Sequence, residues 1–494
     1  MKKIFANIFL VSLLGLSVSS CKKDYLETFP TDQVASDEVF GTTINAWGAI
    51  NGIHRSLYVQ YLGNQDQGGI SGNMIYMDVM GEDLVMTDRA NGWFVGEYQW
   101  LSHRNANSRV PYFNYYIFYR VIANANMIIG NVDNAEGPEA DKKAIKGQAY
   151  AYRAWAHFNL VQLFGERYVA GGANDGPGVP LMLTTTTEGQ PRATVAEVYA
   201  QIHKDLDEAI DLLTGYDRAN KSHLNVNVAK GIKARVALTQ QNWALAAQLA
   251  NEARQGYSLM SNAQYMEGFN DYTNPEWIWG VHQQADQQTY FYSFFAYMSC
   301  NFNSTNIRGN PKAINSALYD KITDTDIRKQ LWDPTGANTD FPIPPHTAST
   351  RKPYMNRKFR VADPNISIGD VPLMRAAEMY LIEAEALARA GQDAEAAQVL
   401  FELANKRDPD YTLSTNTGDD LIEEIMIQRR VELWGEGFRW YDLKRLNLPL
   451  DRTGANHDPT LARVLEIPAG DKQWQFLIPQ DEINANKNVV QNPL

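Results

Sequence analysis

The chain has 494 residues, of which 44% are apolar, and it carries a formal charge of −12. That length accommodates two or three ordinary domains or one large helical body, and the apolar share argues against a disordered chain. The acidic balance argues against nucleic-acid binding, which needs a basic face.

The chain opens with Lys2 and Lys3, an apolar run from Ile4 to Val18, then Ser19, Ser20 and Cys21. A short positive end before a brief apolar stretch reads as a secretory signal peptide over residues 1–20. The small residues ahead of Cys21 resemble a bacterial lipobox, in which cleavage frees a cysteine for lipidation. An ordinary signal peptide with Cys21 incidental is the alternative. At about 0.8 kcal/mol per buried methylene, one acyl chain holds marginally and two or more hold firmly. No later segment has the apolar length to cross a bilayer, so residues 21–494 form a body tethered at one end. With Cys21 lipidated, Cys300 stands alone and no disulfide framework is available.

Helical periodicity begins at Tyr112–Val132, which is rich in rings, and continues in Lys142–Phe164, with Ala151, Trp155, Phe158 and Val161 on one stripe. The Gly/Pro-rich stretch from Gly165 to Pro180 stops that helix. Thr194 and Glu197 form a capping box, followed by the stripe Val198, Ile202, Leu206, Ala209 and Leu213. Val226–Gln240 and Trp243–Arg254 read as the next pair. Ala377, Leu381, Ala384 and Ala388 mark a later helix closed by Gly391, with Ala394–Ala404 as its partner. The fold class is therefore mostly α. Degenerate tetratricopeptide-like helix pairs, over about 40–256 and 369–448, form the scaffold, with a non-repeating bundle as the alternative. Residues 60–105 and 257–368 show little helical period and read as irregular, loop-rich ligand-binding regions. They carry a few short strands, Trp277–Val281 among them.

The C-terminal third carries Ile427-Gln428-Arg429-Arg430-Val431-Glu432-Leu433, then Gly435-Glu436-Gly437-Phe438-Arg439-Trp440-Tyr441-Asp442-Leu443-Lys444-Arg445. The chain closes with Ile478-Pro479-Gln480-Asp481-Glu482-Ile483, Asn486 and Gln491-Asn492-Pro493. Upstream and in order lie Ala123-Asn124-Ala125-Asn126, Arg153-Ala154, Leu163-Phe164-Gly165 and Asp205-Leu206-Asp207-Glu208-Ala209. With the signature spanning 427–494, nearly the whole mature chain resembles the SusD/RagB-like outer-membrane nutrient-binding lipoproteins of Gram-negative bacteria. The resemblance implies a surface lipoprotein that caps a TonB-dependent, SusC-like transporter in the outer membrane and delivers ligand to it, without catalysis. In the signature itself, Arg430, Glu432, Glu436, Arg439, Asp442 and Arg445 place opposite charges at helical spacings. They lie beside Leu433, Trp434, Phe438 and Trp440, a pattern that suits a helix docked into the body.

Motifs for chemistry are weak. Glycoside hydrolysis needs two carboxylates about 5–10 Å apart, and 57 acidic residues supply formal pairs without distinguishing any. Gly68-Gly69-Ile70-Ser71-Gly72 misses the nucleophile elbow, Asp324-Thr325-Asp326 lacks the rest of a calcium loop, and the eight histidines show no zinc spacing. The sequence calls for no enzyme activity, cofactor or metal. The outlier is the ring content: 11 Trp, 25 Tyr and 19 Phe. A pyranose lays its apolar face on a flat ring, while its hydroxyls need amide, carboxylate or guanidinium partners. Two stretches fit. The first holds Asp83, Arg89, Asn91, Trp93, Tyr98 and Trp100; it is similar to the segment ahead of the first long helix that supplies glycan contacts in starch-binding family members. The second holds Tyr290, Tyr292 and Tyr297, with Asn301 and Asn303 close behind. For each ring, core packing is the competing expectation. These residues point to capture of a glycan ligand for delivery to the transporter. A peptide ligand, or an assembly scaffold with no small ligand, remains open.

Overall fold

The computed structural model describes residues 39–284, 286 and 290–494; the signal peptide and Cys21 lie outside the described residues. The longer helices among the described residues are α1 Thr43–Ser56, α2 Ile70–Val79, α3 Arg109–Asn131, α4 Glu139–Phe164, α5 Val195–Leu213, α6 Val226–Thr239, α7 Trp243–Arg254, α8 Ala376–Arg389, α9 Asp393–Arg407, α10 Gly418–Glu432 and α11 Arg439–Leu446. From α3 to α9 each helix packs on the next, and α7 meets α8 although residues 255–375 intervene. The periodic stripes face inward as expected. On α5, Val198, Ile202, Leu206, Ala209 and Leu213 are all buried behind the reciprocal Thr194–Glu197 cap.

The helix pairs α6–α7 and α8–α9 turn in the same way. Each turn holds a left-handed residue at its centre, Gln241 (φ 59°) in one and Gly391 (φ 76°) in the other. The following amide then reaches back five residues: Asn242 N donates to Ala237 O and Gln392 N to Leu387 O, both at 2.9 Å. A shared backbone turn in unlike sequences is what a degenerate helical repeat leaves behind.

One expectation needs correcting. The 60–105 stretch contains α2, and all ten of its residues are buried. A helix covered on every side has no polar face, so its sequence carries no amphipathic stripe to read.

The strands are short: β1 Leu84–Val85, β2 Pro177–Pro180, β3 Arg192–Thr194, β4 Trp277–Val281, β5 Ala313–Ile314, β6 Trp332–Asp333, β7 Met355–Asn356, β8 Val371–Arg375, β9 Leu450–Asp451 and β10 Glu466–Ile467. One four-stranded sheet runs β1-β5-β7-β6. Its Leu84↔Ile314 pairing ties the first loop-rich region to the second. Strand β4 lies antiparallel to β8, both wholly buried, and β8 delivers Arg375 to the mouth of α8.

Arg375 belongs to a closed set of buried charges. Glu432 accepts from Arg375 Nη1 (3.0 Å), Arg407 Nη2 (3.1 Å) and Arg328 Nη1 (3.2 Å). Glu276 bridges Arg375 and Arg407, and Glu436 binds Arg375 Nη2 and Lys358 Nζ, both at 2.7 Å. The signature charges do not mainly pair along their own helix. Only Asp442–Arg445 does so (2.8 Å); Arg430 reaches Asp83, Arg439 reaches Glu82 and Arg445 reaches Glu385. Burial alone would raise these carboxyl groups. Arg407, Arg375 and Arg328 instead hold Glu432 well below the usual range, and Arg429 with Arg445 brings Asp442 to about 2.

Two outcomes follow. Removing one member strands buried partners, so Arg375→Met should cost about 3–5 kcal/mol in chemical unfolding. A carboxylate depressed in the fold contributes stability above its unfolded value of about 4, and that contribution is lost as pH falls through the folded value. Glu97, raised to about 6 by burial, and Asp78, also raised by burial, act oppositely and favour the fold slightly on mild acidification. Urea midpoints should therefore hold or rise slightly from pH 7 to about 5 and fall steeply between about pH 4 and 2. A midpoint unchanged at pH 2 would contradict the depressed carboxylates.

Candidate ligand-binding face

The loop after β1 leaves the core at Thr87, and Asp88, Arg89, Ala90, Asn91 and Gly92 are all exposed. Its base is fixed: Thr87 N donates to Asn310 Oδ1 at 2.9 Å and Trp434 Nε1 to Asp83 O at 2.9 Å. The loop turns tightly, with Gly92 N on Arg89 O at 2.8 Å, and presents Trp93 half-buried. The Arg109 guanidinium lies 5.2 Å from the centroid of the Trp93 ring. Arg109 is itself held by Asp66, a wholly buried carboxylate, through Nη2 (2.8 Å) and Nε (3.0 Å). One face of Trp93 is thus covered by a cation in a fixed position.

The second ring-rich stretch meets the segment just ahead of α2, which also carries Asp66. A Cβ at Gly68 would lie 1.7 Å from the Tyr292 carbonyl oxygen, so only glycine lets these two segments meet. Tyr290 is 56% exposed and Phe291 46%, with Tyr292 half-buried between them and the body. Asn303 is half-buried, its side-chain oxygen accepting from Arg308 Nη1 at 3.3 Å. Behind α3's first turn, Tyr112 and Tyr116 stack in parallel (6.0 Å, 10°), with Tyr116 38% exposed. These two also line a cleft of ≈ 390 Å³ shared with Gln190 and Glu482. Ala90 (φ 42°), Phe94 (φ 64°), Leu62 (φ 51°) and Tyr290 (φ 36°) are non-glycine residues in the left-handed region. Such strain persists only where the surroundings enforce it, and it concentrates at functional loops.

The ring count does not separate surface from core, and half of the expected contacts lie inside. Asp83 is clamped by Arg430 (Nε to Oδ1, 2.9 Å) and serves as the loop's anchor. Tyr98 bonds His457 Nδ1 at 2.5 Å beneath Arg452. Trp100 is 2% exposed, donates to Met80 O at 2.9 Å and packs edge-on to Trp474 at 4.8 Å. Tyr297 meets Phe94 edge-on at 4.8 Å, and Asn301 is bonded in both directions to the Val361 backbone. These five face the interior and offer a ligand no surface. Arg89, Trp93, Tyr290, Tyr292 and Asn303 stay exposed or half-buried. Sequence reasoning missed Arg109, Asp66, Tyr112 and Tyr116. The spacing of Tyr112 and Tyr116 was visible, but it reads equally as a core stripe.

Among the described residues no group of three or more His, Cys, Asp or Glu could hold a metal ion. Cys300 is buried and burial pushes its thiol up to about 12, so it is no nucleophile. Among the described residues no helix is long and apolar enough to cross a membrane.

Residues 241–494 match the model described as the SusD family. The chain belongs to the SusD family. Residues 33–238 match a second model, described as starch-binding associating with outer membrane. A SusD-like protein of Formosa agariphila is 25% identical over 538 residues, spanning 99% of this chain and 98% of its own length. Another from the same organism is 24% identical over 415 residues, covering 72% and 76%. A SusD-like carbohydrate binding protein from Bacteroides vulgatus superposes with a TM-score of 0.79 at 29% identity, covering 91% of this chain and 98% of that one. A laminarin binding SusD-like protein shares the fold, with a TM-score of 0.70 at 20% identity over 92% of this chain and 100% of that one.

The placement of the two tryptophans yields opposite expectations for stability. Trp100→Ala should cost about 3–5 kcal/mol in urea unfolding; Trp93→Ala should cost about 1 kcal/mol or less. Equal losses would mean that Trp93 is a core residue.

Proposed function

We propose that this SusD family member captures a glycan on the face carrying Arg89, Trp93, Tyr290, Tyr292 and Asn303, and passes it to a TonB-dependent, SusC-like transporter in the outer membrane. The observation that carries this reading is Trp93, a half-buried ring backed by Arg109 and Asp66. A ring already fixed in place loses little entropy when a sugar stacks on it. Arg89, Asn91 and Asn303 supply the polar partners that hydroxyls require. The description of the upstream family model as starch-binding and outer-membrane associated, and the naming of the 29% identical Bacteroides vulgatus structure as carbohydrate binding, support it. Lipidation at Cys21 would hold the protein at the outer membrane. On this reading the protein performs no chemistry: it concentrates ligand and releases it into the transporter.

Affinity electrophoresis of the mature protein without its lipid cysteine, through gels carrying a panel of polysaccharides, tests the proposal. Retardation by one polysaccharide class should appear without shortening of the polymer. It should fall by at least tenfold in apparent affinity in Trp93→Ala combined with Tyr292→Ala, while the thermal midpoint stays put. Free migration through every gel, together with binding of peptides, would replace the glycan reading with peptide capture. Retardation unaffected by both substitutions would move the site off this face.

A further inference from the structure

A cavity of ≈ 520 Å³ opens between the C-terminal turn of α1, the loop ahead of α6 and the end of β4. That volume falls within the range of about 300–1,000 Å³ common to small-molecule sites. In a chain with 57 acidic residues, its wall holds none. The wall instead carries Arg55, His54, His223 and His282, with Asn220 and Ser222. Two buried nitrogens there have no hydrogen-bond partner among the described residues: His54 Nε2 and Arg55 Nη1.

The orientation of His54 follows from its other nitrogen. Nδ1 lies 2.5 Å from the hydroxyl of Tyr152, a core residue, so the Nε2 edge turns away from the core. Its ring sits 4.6 Å from that of His223. Burial, and then His223, hold the His54 imidazole well below its ordinary range, so it is neutral at pH 7. Arg55 lies 4.6 Å over the Tyr58 ring and makes no ion pair among the described residues. Arg218 adds a further cation nearby, its Nη1 donating to His223 O at 2.9 Å. The carboxylate at the far rim, Asp370, already accepts from His282 Nδ1 at 2.9 Å. A buried guanidinium nitrogen left unpaired costs more than its hydrogen bond gains. The cavity wall therefore carries a cation and no carboxylate of its own.

We infer that this cavity is a second ligand site, taking the carboxylate or sulfate of a small anionic molecule about one sugar residue in size, with Arg55 as its donor, joined by His54 Nε2 in the tautomer whose Nδ1 accepts from the Tyr152 hydroxyl. None of its wall residues belongs to the Trp93 face, so the inference stands or falls separately from the glycan proposal. Isothermal titration with sodium glucuronate and glucose 6-sulfate distinguishes the two anion sources, with glucose as the neutral control. At least one anion should bind, and glucose at least about tenfold more weakly. Arg55→Gln should weaken the anion by at least about tenfold and Trp93→Ala should leave it unchanged. Because His54→Gln also disturbs Tyr152, Arg55→Gln carries the test, with its thermal midpoint checked against wild type. Absence of binding by both anions, equal binding of glucose, or an anion affinity insensitive to Arg55→Gln would each overturn the inference.

Discussion

The constraint on which the architecture depends is the burial of Glu432 among Arg328, Arg375 and Arg407. An ion taken out of water is tolerated only when every partner is present, so such a set is held together or lost together. Its members come from β8, α9, α10 and the turn at Asp326–Arg328. They fix the helical repeats, the long excursion between α7 and α8 and the C-terminal segment relative to one another. The same stretch continues the role outward: Arg430 and Arg439 grip Asp83 and Glu82, and Gly437 N donates to Asp78 at 2.7 Å. A Cβ at Gly437 would come within 2.8 Å of Met74 Cα, which lets α2 lie against this turn. The signature is thus a clasp, and the exposed loop at 87–93 starts from its far end.

That clasp explains how surface loops of irregular conformation can still be well placed. Ala90, Phe94 and Tyr290 adopt backbone conformations that L-residues avoid, each at a cost of about 1–3 kcal/mol. The cost is borne by the sheet pairing Leu84↔Ile314 and the bonds that the Thr87 and Asp88 amides donate to Asn310 Oδ1. A loop held open in this way has already lost its freedom before ligand arrives, which favours binding by stacked rings.

Legibility in the sequence followed the range of the interactions. Helix α5 was readable because its cap and stripe lie within nineteen residues of each other, and α6 to α9 for the same reason. Helix α2 was not, since burial on all sides erases periodicity. The docked character of the signature was legible from its mixed charges and rings, but its partners were not: Arg430 and Asp83 stand 347 positions apart. The face was half legible. Trp93 follows Gly92 in a polar run, whereas Trp100 and Tyr98 lie only a few residues on and turn inward. Local sequence does not encode that reversal; the left-handed backbone at Phe94 and Trp100 produces it.

The separation between clasp and face has a consequence for specificity. Side chains such as Arg89 and Tyr290 are exposed and Trp93 is half-buried, so exchanging them alters what is bound at smaller cost to folding than a change in the core. Arg375 or Glu432 has no such freedom, because any change strands buried charge. The cavity beside His54 falls between these cases: its donors rise from α1, a scaffold helix, yet are left unpaired. Donors placed on a rigid element at the wall of a cavity, with no partner of their own, are poised for a ligand that supplies acceptors.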